Sequence, residues 1–580
     1  MGAGGQRPQL GGLEQRAGDF SSRDYWIACG IFLVTLSVYV LTSPGRIDII
    51  DAQYRYEVAQ NLLRYGRPYV TDPALSSPTF RVLGPDGSFY SNFGFAGTGF
   101  SLPLVWLGNL CDAGKGETTR FLFSLTSCIF GALCALVLYF FYRELRVSRQ
   151  SAVLWTAVSS FATLLWPLSA SSFENVERGF LAFLAVYLGY RSAKQRSKAL
   201  ALAGGMSAGL LLLYRWYMGF MLPLLALSVL SPPAATKDPS LAGQLRRPWT
   251  PSPLLTKAIQ LLDNIFDDLW TAMVRGEAAS ENRRRVVAFL EGTTIGLVGM
   301  VAYNLERFNS LFHSGQTIII PVVVANPLVG FLTLFVSPGK SVFLYSPPLI
   351  LGFLGIGYLW RRERWLTYAI LGATLIWVAL MCGTFSTGGD WCWGPRYFVN
   401  VMPLWALPFP FLRPGKFLRR LAIAIVGLGL VVQLMAVSMD FQRFFFERRL
   451  SIFFFVQDPW YYFKHSALLA RPSEILSLKE GVPSTASRFS PTPYPGLLTY
   501  CVFGPPGNTL YMADRWVRGF EVFFLPRPWP FWLRDIEPSR RPINLSAWLL
   551  GCLALFMLGA AFIVWGVHHP QSRAAPVSAR

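Results

Sequence analysis

Apolar positions along the chain fall into long runs separated by short polar stretches, the pattern of a protein that crosses a membrane many times. Runs at 25–43, 119–142, 151–169, 173–190, 199–213, 217–231, 286–304, 341–360, 365–383, 397–412, 421–438 and 547–567 predict about twelve transmembrane helices. Each is near the roughly 20 residues that a bilayer requires, though several are short. Behind the first run the period changes. Tyr54, Val58, Leu62 and Tyr65 recur at steps of four, four and three, which predicts a short amphipathic helix lying on the membrane surface. Asp51 stands at its N-cap position, Gly66 where a terminating residue belongs, and Pro68 follows. An acid there fits a capping role and a chemical one equally. The run 93–110 is apolar but broken by glycine, and predicts a second surface-lying or re-entrant piece. Its Gly94, Gly97 and Gly99 read as packing glycines, because the lysine and the strand–helix setting of a phosphate loop are missing.

The predicted fold class is an all-α polytopic membrane protein. It has amphipathic juxtamembrane helices in the first outer loop and a large outer segment before the last span. Residues 1–24, rich in Gly and Arg, form a disordered cytoplasmic N-terminus. Residues 25–438 form the transmembrane module, with a first outer loop at 45–118 and a cytoplasmic loop at 232–285 that carries an amphipathic helix near 254–274. The outer segment, 439–546, is rich in Pro and aromatics; the last span at 547–567 and a cytoplasmic tail at 568–580 complete the chain. No small-residue cleavage site follows the first run, so it reads as a retained anchor.

Composition agrees. The 580 residues are 53% hydrophobic and 14% charged, against about 25% charged in soluble domains. A net charge of +20 would suit nucleic acid, but the basic residues sit in short clusters between the apolar runs. With the N-terminus inside, Arg143, Arg146 and Arg149, then Arg191 to Lys198, Arg283 to Arg285, Arg361 to Arg364 and Arg413 to Arg420 all fall on the cytoplasmic side. Charge therefore reports orientation, and no nucleic-acid partner is expected. The same alternation places Asp48, Asp51, Glu57, Glu174, Glu177, Glu306, Asp390 and Arg396 on or near the outer face. The eight cysteines include no Cys-x-x-Cys pair and no Cys/His cluster at zinc spacing.

Three short runs carry candidate chemistry. Glu174 and Glu177 lie between two spans, where ionisable groups are costly and tend to be functional. Glu177 reads as a turn residue partnered by Arg178, while Glu174 stays open. Beyond the seventh span, Arg307 and His313 are candidates for contacting an anion, although a lone loop histidine is more often a surface residue. The run Gly388-Gly-Asp-Trp-Cys-Trp-Gly-Pro-Arg-Tyr397 offers Trp391, Trp393 and Tyr397 as flat faces for a sugar ring or lipid chain. It offers Arg396 as a planar fork for phosphate oxygens, with Asp390 to orient it. An interfacial aromatic belt with a snorkelling arginine accounts for part of that run, and less well for its Gly-Gly-Asp start.

These residues resemble the C-type glycosyltransferase superfamily of polytopic membrane enzymes. Asp51-Ala-Gln-Tyr-Arg-Tyr-Glu-Val-Ala59 is similar to the Asp-Glu run of the aminoarabinose and protein O-mannosyl transferases. Ser337-Pro-Gly-Lys-Ser-Val-Phe-Leu-Tyr-Ser-Pro-Pro348 and Asp390 to Tyr397 are similar to runs in bacterial proteins of that group. The resemblance implies a bacterial plasma-membrane enzyme that moves a sugar, with inversion, from a polyprenyl-phosphate donor to an extracytoplasmic lipid, glycan or protein. It makes Asp51 the general base and Asp48 an alternate or metal-orienting acid. Arg396, Arg307 or Lys340 would steady the leaving phosphate. The partners implied are the polyprenyl-phosphate-linked sugar, membrane lipids and an unidentified acceptor. The resemblance fixes no cofactor, and leaves a divalent cation open. One departure stands out: Ala52 occupies the second position of the family's acid pair. Two other readings compete, a transporter or flippase for an anionic or lipid-linked substrate, and a catalytically inactive relative. Transporters place ionisable groups near the midplane and show repeated halves; here the acids cluster outside and no repeat is evident.

Overall fold

A computed structural model describes residues 20–43, 45, 47–71, 80–111, 117–231, 263–275, 278–316, 326–384, 387–389, 392–412, 415–438, 441, 444, 460–476 and 545–568. Most of the predicted N-terminal stretch, more than half of the predicted cytoplasmic loop, most of the predicted outer segment and the C-terminal tail after residue 568 lie outside the described residues. So do Asp390 and Trp391.

The protein is a mostly helical, multi-pass integral membrane protein. Six described helices are long and apolar enough to cross a membrane: Ser22–Thr42, Thr118–Glu144, Ala279–Phe308, Arg364–Cys382, Lys416–Val437 and Ser546–His568. The other predicted spans are shorter or interrupted, and proline explains several breaks. Pro347 and Pro348 divide one run into Val342–Tyr345 and Leu349–Arg362. Runs containing Pro223, Pro403 and Pro408 become chains of single α and 3-10 turns. Proline lacks the amide donor and collides with the carbonyl four residues back, so a run can be apolar throughout and still not be one helix.

Helices approach closely where glycine removes the side chain. A Cβ on Gly205 would lie 1.9 Å from the Phe289 carbonyl oxygen, and one on Gly296 would lie 1.9 Å from that of Gly209. The helices Lys198–Gly209 and Ala279–Phe308 thus meet backbone to backbone. Gly296→Ala is expected to cost about 1–3 kcal/mol through overpacking, read as a lower thermal midpoint in detergent. Gly357→Ala, with open space around it, is the control and should not lower it. The last helix crosses the first in the same manner, with Gly30 facing the Gly559 carbonyl oxygen.

At the end of the bundle that carries the basic clusters, Asp24 closes the first helix onto its neighbours. Its buried carboxylate pairs with Arg143 at 2.9 Å and Arg149 at 3.0 Å, and accepts from the Tyr139 hydroxyl at 3.0 Å. Arg191 pairs with Glu144 and Lys194 with Glu363 nearby.

The opposite end holds the loop after the first helix. Its helix, Ile50–Tyr65, ends as predicted at Gly66 with φ +69°. It does not lie on a surface. Ala52 to Tyr56 and Val58 to Asn61 are all buried, and exposure begins only at Leu63 to Tyr65. Its polar face meets polar protein groups rather than water. Gln60 donates to the Tyr56 hydroxyl and to Asn109, and Asn61 donates to the Tyr69 carbonyl. A two-stranded antiparallel hairpin, β1 (Arg81–Leu83) with β2 (Phe89–Ser91), follows; the apolar pattern carried no sign of it. The predicted second surface-lying piece is the helix Phe95–Cys111, which exposes Trp106, Leu107 and Leu110. Gly94 and Gly97 do pack against protein: a Cβ on Gly94 would lie 2.0 Å from the Leu213 carbonyl oxygen.

Candidate active site

Asp51 lies in the first turn of Ile50–Tyr65, where the positive end of the helix dipole favours an anion. It is not the N-cap; that position is Ile49, and its side chain makes no capping hydrogen bond. The Asp51 carboxylate turns outward to Arg396, with Oδ2 3.5 Å from Nη1. Both groups keep some access to solvent, 19% for the Asp51 side chain and 9% for that of Arg396.

Arg396 is delivered by a sharply constrained turn. Gly389 and Gly394 take left-handed backbone, with φ +80° and +65°, and Pro395 leads into the short 3-10 helix Arg396–Asn400. Trp377 donates from Nε1 to the Tyr397 carbonyl at 2.8 Å. Gly179 allows the helix Asn175–Gln195 to close on this turn, since a Cβ there would lie 2.5 Å from the Val399 carbonyl oxygen. The Arg396 guanidinium sits over the rings of Phe173 and Tyr397 and donates to the Tyr397 hydroxyl at 3.1 Å.

Beneath the pair lies a buried charge network. Glu174 Oε1 is 3.3 Å from Arg215 and 3.6 Å from Arg178, and its Oε2 is 3.9 Å from Arg55. Glu177 lies 3.8 Å from Arg55 and accepts from the Tyr214 hydroxyl at 2.7 Å. Arg55 also donates to the Ser172 carbonyl. Among the described residues, counting Arg396 and Asp51, four arginines and three carboxylates meet here. Asp48 completes the framework. It is fully buried, accepts from the Ser171 hydroxyl and from the Ser172 N–H at 2.9 Å, and so ties the first loop to the turn before Glu174. Burial pushes its carboxyl pKa up, against the lowering effect of the two serines.

Arg215 was not singled out from the sequence. It begins the 3-10 helix Trp216–Met221 and lies over Phe93, with its guanidinium carbon 4.7 Å from the ring centre. It also feels the charge of Asp51. The available signal was a lone arginine between two apolar runs on the acid-bearing side, against the charge bias of the rest of the chain.

The structure thus gathers Asp51, Arg396, Tyr397 and Glu174, and places the other candidates elsewhere. Lys340 is buried behind the Arg396 turn and donates to the carbonyls of Cys392 and Gly394 at 2.9 and 3.0 Å. Trp393 is 1% exposed and packs edge-on against Tyr345. Arg307 is buried at the end of Ala279–Phe308 and donates to the carbonyls of Ser91, Phe93, Tyr303 and Ser314. That fixes the hairpin to the helix. Ala52 is fully buried in the main apolar cluster. Among the described residues no group of three or more His, Cys, Asp or Glu side chains converges to hold a metal ion.

Three solved membrane enzymes show a distant likeness to the chain. The Cupriavidus metallidurans ArnT bound to undecaprenyl phosphate is 14% identical, with 89% of each chain covered and a TM-score of 0.41. The Archaeoglobus fulgidus oligosaccharyltransferase in the apo form is 15% identical, with 84% of this chain and 60% of that one covered and a TM-score of 0.37. The arabinosyltransferase EmbB from Mycobacterium smegmatis is 12% identical, with 97% and 42% covered and a TM-score of 0.35. This chain therefore spans about three fifths of the length of the archaeal enzyme and less than half of the mycobacterial one. No family model and no curated protein matches the sequence.

Proposed function

We propose that this protein is a membrane glycosyltransferase that moves a sugar from a polyprenyl-phosphate donor to an acceptor on the extracytoplasmic face. The observation that carries the reading is the partly accessible Asp51–Arg396 pair, set on a buried network of arginines and glutamates. The donor phosphate binds between Arg396 and Arg215 and takes Arg396 from Asp51. The carboxylate is then released to accept a proton from the acceptor hydroxyl. The acceptor oxygen bonds to the anomeric carbon from the face opposite the phosphate, the carbon–oxygen bond to phosphate breaks, and configuration inverts. Charge gathers on the leaving phosphate, where two guanidinium groups stabilise it. The rings of Phe93, Phe173 and Tyr397 lie against these two guanidinium groups and orient them.

Purified protein in vesicles, supplied with radiolabelled polyprenyl-phosphate sugars and a membrane extract as the source of acceptor, tests this. The expected result is free polyprenyl phosphate and a product of inverted anomeric configuration. Labelled lipid that only changes leaflet, with its sugar still attached, would establish a flippase and end the transferase reading.

A further inference from the structure

Residues 460–476 belong to the predicted outer segment, far along the chain from the site, yet they pack directly behind the Arg396 turn. We infer that they form a strut holding Arg396 in register with Asp51, with Arg471 as its positioning residue; this rests on the transferase reading above.

The contacts run along the whole strut. The Gly339 N–H donates to the Tyr462 carbonyl at 3.0 Å, the Ser466 hydroxyl donates to the Pro338 carbonyl at 2.6 Å, and the Leu468 N–H donates to the Tyr345 hydroxyl at 3.1 Å. A Cβ on Gly339 would lie 2.4 Å from the His465 carbonyl oxygen, and one on Gly388 would lie 2.6 Å from the Tyr462 ring. Both glycines are therefore needed for the strut to seat. Arg471, in the helix Ala467–Leu476, is fully buried and paired with Glu474 at 3.3 Å. Its guanidinium carbon stands 5.3 Å from the centre of the Trp393 ring, which is held from another side by Tyr345.

Trp393 lies three residues before Arg396, and Lys340 anchors the carbonyls on either side of it, those of Cys392 and Gly394. Gly389 meets the Arg396 side chain, its Cβ position lying 2.5 Å from Cγ. Pressure on Trp393 and on Gly388 is therefore passed to Arg396 through two left-handed glycines and a proline. These fix the turn's shape but not its height over Asp51. The strut holds the turn at Trp393, as Trp377 and the Gly179 contact hold it beyond Arg396. A buried ion pair in this place is an expensive way to fill space, and stacking on Trp393 accounts for an arginine there.

The test uses the full chain in detergent. Cys392 is buried under this assembly, so its alkylation by N-ethylmaleimide, read by peptide mass spectrometry, reports whether the turn is held. Arg471→Ala should expose Cys392 and raise the donor KM at least about tenfold with a smaller change in kcat, since small misplacements of a binding group are costly. Arg471→Lys, which keeps the charge but loses the flat guanidinium over Trp393, should restore only part of both. Gly388→Ala should act in the same direction by pushing Tyr462 away, and it decides the matter if Arg471→Ala does not fold. Unchanged KM in these variants overturns the inference, whether or not Cys392 becomes reactive. A wild type that transfers no sugar sinks the transferase reading instead, and the strut is then decided by the alkylation alone.

Discussion

Asp51→Asn is expected to lower the rate of sugar transfer by roughly 10²–10⁴-fold, the range for losing a positioned general base. The substitution keeps the side chain's size and its place in the first helical turn. It removes the ability to take a proton. It also removes the partly exposed negative charge that pairs with Arg396, so the site becomes more positive. Donor affinity should hold or improve while turnover collapses. Single-turnover transfer and direct binding of the labelled donor separate the two effects. A variant that turns over at the wild-type rate would remove Asp51 from the chemistry. One that loses donor binding instead would show that the carboxylate serves the substrate's sugar rather than the acceptor's proton. Arg396→Ala should show the opposite split, with KM raised.

The second large effect is on stability, at the other end of the bundle. Asp24→Asn should cost about 3 kcal/mol, the lower part of the range for breaking a buried ion pair by removing one partner. The carboxylate is buried and receives Arg143, Arg149, the Tyr139 hydroxyl and the backbone and side chain of Ser21. An amide keeps one acceptor and turns an N–H toward two guanidinium groups. The arginines remain about a fifth exposed and can partly rehydrate, which holds the cost below the upper end. The checks are the thermal midpoint in detergent and the yield of folded protein. Arg146, exposed in the same basic cluster, gives the comparison, because Arg146→Gln should leave both unchanged.

Some of the site was legible because its residues are chemically out of place. A carboxylate directly behind an apolar run, and an arginine after Gly-Pro at the head of another, are conspicuous in an uncharged setting, so Asp51 and Arg396 could be named from local pattern. Arg215 and Arg55 escaped for opposite reasons. Arg215 is isolated in sequence, with no polar neighbour to draw attention to it. Arg55 sits in a helix whose spacing reads as amphipathic, so its face seemed to belong to water. Arg307 and Lys340 were equally conspicuous, yet both donate to backbone carbonyls at loop junctions. Residue type announces a buried cation without telling whether backbone or ligand will satisfy it.

The sequence by itself determined that the chain lives in a bilayer, which of its ends are basic and where its long apolar runs lie. Those properties are sums over local composition, and each segment carries its own share. Only the tertiary structure decided that the first-loop helix is enclosed rather than surface-bound, that several apolar runs are broken turns, and that Glu174, Glu177, Arg55, Arg178 and Arg215 share one charge network. Those outcomes depend on which distant segments meet. A buried charge chooses its place by the partners available there, and partners 100 or more residues away leave no mark on the local pattern of either.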